Sequence, residues 1–261
     1  MRKNSIQINF GPMPSDPHSS LADRAQSRDP EELLAVASDL DLTEDMALAL
    51  LARRDLPGPV IEAIGKNPAL LKHRKVILAV ASHTRAPRHV SLPLTRHLYT
   101  FELVKIALLP AVPADVKVGI DEIIISRLAQ ISEGERLTLA KRASGRVAGA
   151  LLLDAQERIV AAALNNPRMT EDVLLRALAQ RRASERLVRL VCRHRQWSLR
   201  RDIRLSLLRN EHTPLAEAIV FAGEFPVQLV REVLSQSKLQ PAIKKYLLVL
   251  LEARAAEKKE S

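Results

Sequence analysis

The residues best suited to chemistry are arginines. Between Arg181 and Arg209 the chain carries Arg181, Arg182, Arg186, Arg189, Arg193, Arg195, Arg200, Arg201, Arg204 and Arg209, against only Glu185 and Asp202. Ten positive and two negative residues put +8 of the formal net charge of +10 into this one stretch. Arg182, Arg186, Arg189 and Arg193 follow at spacings of 4, 3 and 4, so a helix would hold them in one stripe. Arg200, Arg201 and Arg204 would be added by the next helix. A guanidinium is a planar fork that meets a carboxylate or a phosphate in two-point contacts. The stretch therefore reads as a docking surface for an anionic partner. The competing reading is a solvated face whose charges pair with acids on neighbouring elements.

Other groups offer less. Cys192 lies among cationic residues that would lower a thiol pKa, yet a buried structural thiol is the commoner case. His83, His89 and His97 are spaced by 6 and 8, which does not match helical metal ligands one turn apart, so no metal is expected. Gly145 and Gly149 are not a phosphate loop, since the Lys and the trailing Ser or Thr are missing. They fit a close approach of two helices. Asp121-Glu122 and Glu171-Asp172 are adjacent pairs that diverge by about 100° on a helix, so they form no convergent acid–base pair. There is no nucleophile-elbow motif. With one cysteine, neither an intrachain disulfide nor a cysteine-built cluster is possible, and no cofactor is implied.

The elements that must carry these residues read as helices. The chain has 261 residues, 47% hydrophobic and only 3% aromatic, with the apolar load on Leu, Ala, Val and Ile. Such a composition suits close helix packing and argues against a β-sandwich or barrel. Apolar runs alternate with short polar breaks marked by Pro, Thr or Asn. The clearest unit is Ile159 to Leu178, IVAAALNNPRMTEDVLLRAL. The break prolines Pro57, Pro87 and Pro113 fall 30 and 26 residues apart, the spacing of a helix pair. Asp29-Pro30-Glu31-Glu32 and Thr170-Glu171-Asp172 are helix starts, with a cap and first-turn acids. Asn165 and Gly223 suit left-handed C-caps. Helix–turn–helix units of this kind bury their apolar face by stacking on copies of themselves.

The Ile159–Leu164 run, with Asn165-Asn166-Pro167, Thr170 and Val173-Leu174-Leu175, resembles the leucine-rich repeat variant unit and, more loosely, the HEAT-like α-solenoids of bacteria. The resemblance implies an all-α solenoid of stacked helix pairs without a sheet. Some members of the repeat family carry an N-terminal iron–sulfur cluster, which this chain lacks the cysteines to hold. Other bacterial HEAT-like solenoids are DNA glycosylases with aromatic residues on a basic concave surface, and those aromatics are scarce here.

The expected organisation is a flexible tail over residues 1–28, a helical repeat domain over 29–255 and a frayed end over 256–261. Pro12, Pro14 and Pro17 break any helix in the first segment. No apolar run is long enough to span a membrane, and no secretory leader is visible, so the simplest location is cytoplasmic. The expected function is a non-enzymatic scaffold binding an acidic protein segment through Arg182, Arg186, Arg189, Arg193, Arg200, Arg201 and Arg204. The alternative is a nucleic-acid-binding solenoid, held mainly through phosphate contacts, and after it a glycosylase-like enzyme. Oligomeric state is left open.

Overall fold

A computed structural model describes residues 20–181 and 183–260. Arg182, and residues 1–19 of the expected tail, lie outside the described residues. Within the rest of that stretch, residues 21–24 form a helical turn with a Ser20 capping box, and Arg53 donates to the carbonyls of Ala25 and Ser27. Among the described residues every regular element is helical and no strand occurs. No described helix is long and apolar enough to cross a membrane.

In chain order the helices are α1 (Leu21–Arg24), α2 (Pro30–Ala37), α3 (Glu44–Leu51), α4 (Gly58–Lys66), α5 (Arg74–Ser82), α6 (Arg88–Thr95), α7 (Thr100–Leu108), α8 (Ala114–Arg127), α9 (Glu133–Arg142), α10 (Gly145–Leu151), α11 (Glu157–Leu164), α12 (Glu171–Ala179), α13 (Glu185–Arg193), α14 (Arg201–Leu207), α15 (Leu215–Gly223), α16 (Val227–Ser235) and α17 (Pro241–Glu260). They fall into two compact units. The first runs to Glu102 and includes Leu109–Lys117; the second comprises Leu103–Leu108 and everything from Val118 onward.

Most of these helices are shorter than the roughly 12 residues an isolated helix needs to persist in water, so packing must hold them. In the first unit α2 packs on α4, α3 on α5 and α4 on α6. Their buried faces supply Leu33, Val36, Leu50, Ile61, Ile64 and Val80 to one core. In the second unit the same order recurs: α9 with α11, α10 with α12, α11 with α13 and α12 with α14. In each of these pairs a helix meets the one two places on. Gly145 and Gly149 sit where α10 meets α12. A methyl at Gly149 would collide with Val173, and one at Gly145 with the carbonyl of Arg168.

The helix starts are locally encoded. The side chain of Asp29 accepts from the Glu31 amide at 3.1 Å, with Pro30 opening the helix. Thr170 accepts from Val173, and Ser184 from Leu187. Pro57, Pro87, Pro214 and Pro226 each stand immediately before a helix.

The helix ends differ from the expectation. Asn165 has φ −91°, Gly223 is still helical, and no described residue takes a positive φ. A left-handed cap serves to satisfy the last carbonyls of a helix. Here side chains from later in the chain do that instead. Trp197 Nε1 donates to the carbonyl of Leu164 at 2.9 Å, and Asn166 Nδ2 to those of Ala140 and Ala143 at 2.7 and 3.2 Å. Arg254 reaches Ala222 and Phe225 in the same way. In the first unit Arg53 and His83 play this part, His83 Nε2 lying 3.0 Å from the carbonyl oxygen of Arg53. Donor and acceptor are separated by 23 to 33 residues of chain in all these cases.

Candidate functional site

The arginines lie in the second unit, on α13, α14 and the connections beside them. In α13 the buried face is Leu187, Val188, Val191 and Cys192, with Leu190 half-buried. Arg189 and Arg193 point to solvent and Arg186 is half-buried. The helix starts at Glu185, capped by Ser184, so the expected stripe begins one turn later than its spacing suggested.

Carboxylates meet most of that stripe. Arg186 lies 3.9 Å from Glu157 of α11 and also donates to the carbonyl of Ala155. Arg189 pairs with Glu185 one turn back at 3.0 Å. Arg193 lies 3.7 Å from Glu217 of α15. Arg204 is the most enclosed, its side chain only 11% exposed. It pairs with Glu224, donates to the carbonyl of Ser198 at 2.6 Å, and stands over the Phe221 ring, 5.6 Å from its centre. Arg204 is therefore a packing arginine, not part of an open surface. The exposed pairs are worth at most about 1 kcal/mol each and exchange readily with outside anions. Arg200 and Arg201 remain exposed, with no carboxylate in ion-pair range among the described residues.

A second group of cations lies outside the seven arginines expected to bind. Arg181, Arg209 and Lys238 line a cleft of about 530 Å³ formed where α12, α14 and α16 end. Its apolar lining is Leu175, Leu178, Ala179, Ala183 and Leu205; Gln180, Asn210 and Gln236 add amides. Asp202 and Glu211 also line it, and Glu211 lies 3.8 Å from His212. None of Arg181, Arg209 and Lys238 has an acid in ion-pair range among the described residues. The signal in the sequence was faint. Each of these cations follows a helix end by two or three residues, a position that also suits the negative end of the helix dipole.

The catalytic candidates recede. Burial pushes the Cys192 thiol up to about 12, with Glu217 adding to the effect and Arg193 opposing it. A thiol so shifted is not a nucleophile at neutral pH. Trp197 is buried and its indole nitrogen is committed to Leu164, so it offers no stacking face. His83 is committed to the backbone, His89 lies 3.1 Å from Glu62, and among the described residues no cluster could hold a metal ion. No family model matches this chain, and neither a curated protein nor a solved structure matches it.

Proposed function

We propose that this chain is a non-enzymatic helical-repeat scaffold, with helix pairs stacked as in HEAT-like and leucine-rich-repeat-variant solenoids, that binds an acidic protein segment on its second unit. Two regularities support the stacked-pair arrangement: the packing of α2 to α4 and of α9 to α12 each on the helix two places along, and the side-chain caps that recur at 23 to 33 residues. Repeats that contact only their neighbours produce both.

The observation that carries the binding site is the cleft in which Arg181, Arg209 and Lys238 stand without acid partners among the described residues, beside an apolar lining. Free cations over apolar surface favour a segment that alternates carboxylates with aliphatic side chains. Arg200 and Arg201 extend the same preference. Arg186, Arg189 and Arg193 contribute only if their own acids give way, and Arg182 stays in the proposal as a neighbour of Arg181. Duplex or single-stranded nucleic acid is the competing occupant; the buried Trp197 counts against base stacking as a source of affinity.

Fluorescence anisotropy with a labelled peptide of alternating Glu and Leu tests this. Reversing Arg181, Arg209 and Lys238 together to Glu is expected to weaken binding at least about tenfold, since like charges then face the ligand. Reversing Arg189 and Arg193 is expected to change it little. No peptide binding at low salt removes the proposal. Tighter binding to duplex DNA, lost equally with either set, replaces it with the nucleic-acid reading.

A further inference from the structure

The last described helix, α17, packs on α15 and α16 through buried Leu247 and Leu251, and through Arg254, which caps α15. Beside that buried face lies a second apolar face that stays partly open to solvent. Tyr246 is 49% exposed, Val249 57% and Leu250 37%, and Ala253 is exposed with them. Their spacing of three, one and three places them along one side of the helix. Isolated exposed apolar residues are ordinary, but a continuous stripe of them along a helix marks a contact surface.

The charges flanking this stripe select its occupant. Lys245 and Glu252 are both exposed and stand seven residues apart, hence on the same flank of the helix. With Tyr246 and Val249 at the core positions of a heptad, both take the position just before the seam. When two such helices pack antiparallel, equivalent flanks face each other. Lys245 of one copy then meets Glu252 of the other, and the symmetry repeats the pair. In a parallel arrangement the same flank would face Leu250 and leave both charges without partners.

We infer that the exposed face of α17 is a self-association surface, on which a second copy of this chain docks through its own α17 in antiparallel orientation about a two-fold axis. Tyr246, Val249, Leu250 and Ala253 form the seam, and two Lys245–Glu252 pairs set the direction. Such an interface is isologous and closes at two copies. Four side chains per copy fall well below the roughly 20 residues a side of a standard stable interface, so association is weak and depends on concentration. The surface is separate from the cationic cleft.

Sedimentation equilibrium of the full chain, from about 5 to about 500 µM, reads this directly through the mass-action shift. The expected result is a monomer–dimer equilibrium. Val249→Glu abolishes it while leaving thermal unfolding of the dilute monomer unchanged, because the side chain faces solvent. Lys245→Glu and Glu252→Lys each weaken dimerisation by roughly three- to tenfold, as two attractive pairs become repulsive. The double variant carrying both recovers the parental association. A chain that stays monomeric across the range overturns the inference. So does a dimer indifferent to Val249→Glu, or one that the charge exchange fails to restore.

Discussion

The Nδ2 of Asn166 donates to the carbonyl oxygen of Ala140 at 2.7 Å, across 26 residues of chain. The same nitrogen reaches the carbonyl of Ala143, while Oδ1 accepts from the amide of Arg168 at 2.7 Å. One buried amide therefore closes the end of α9 and shapes the turn leading into α12.

Asn166→Ala removes three hydrogen bonds and leaves two carbonyls without donors. Unsatisfied buried groups cost about 1–3 kcal/mol each, so a loss of roughly 2–4 kcal/mol in unfolding free energy is expected by denaturant titration. Asn166→Asp is expected to be worse than Ala, because it turns the donor into an acidic oxygen facing carbonyl oxygens. If either variant unfolds at the parental midpoint, the amide does not hold this junction.

What the sequence could convey follows the range of the interactions. Asp29 and Thr170 were legible as helix starts because cap and amide lie within three residues. The glycines Gly145 and Gly149 were legible as a close approach because nothing but small size explained them. The helix ends were not, because their carbonyls are closed by Trp197, Asn166 and Arg254 from the next stretch of chain, and nothing local distinguishes such a donor from a surface residue. The partners of the arginines were not legible for the same reason. Counting charges between Arg181 and Arg209 omits Glu157, Glu217 and Glu224, which lie outside that window and meet Arg186, Arg193 and Arg204. Arg181 and Arg209 belong to the arginine stretch, but nothing in the sequence ties them to Lys238, because the three share no helix and no periodic spacing.

Cys192 illustrates how packing decides reactivity. Its cationic neighbours in sequence would lower a thiol pKa, but burial, the commoner case, dominates and pushes the pKa up to about 12. Relative to an ordinary thiol the native state carries about a thousandfold less thiolate at neutral pH. Alkylation by iodoacetamide at mildly alkaline pH is therefore expected to be slow in the native protein and rapid in denaturant, with the native rate following the opening equilibrium. The sign for stability follows: folding keeps the full benefit of the protonated thiol below the unfolded pKa near 9, and loses it as pH rises toward 12. Rapid native labelling at neutral pH would contradict the buried, protonated thiol.

Asp121 provides the opposite test, in a group near the acid range. It is buried in α8, and its Oδ1 has no hydrogen-bond partner among the described residues. Burial raises its pKa above the usual 3.8, while the Ser144 hydroxyl and the charge of Arg146 oppose the rise. Arg146 cannot compensate fully, because it is already 2.9 Å from Glu122. A raised folded-state pKa means that folding is favoured most when Asp121 is protonated. That advantage is complete below 3.8 and disappears as pH rises through the folded value, leaving a buried carboxylate as a liability at neutral pH. Asp121→Asn removes the charge at little change in volume, so the variant is expected to be more stable than the parent at pH 7 by on the order of 1 kcal/mol. The gap should narrow as the buffer is taken below pH 4, where both side chains are neutral. Parallel denaturant titrations at the two pH values measure it, and a variant less stable than the parent at pH 7 would mean that Arg146 outweighs desolvation.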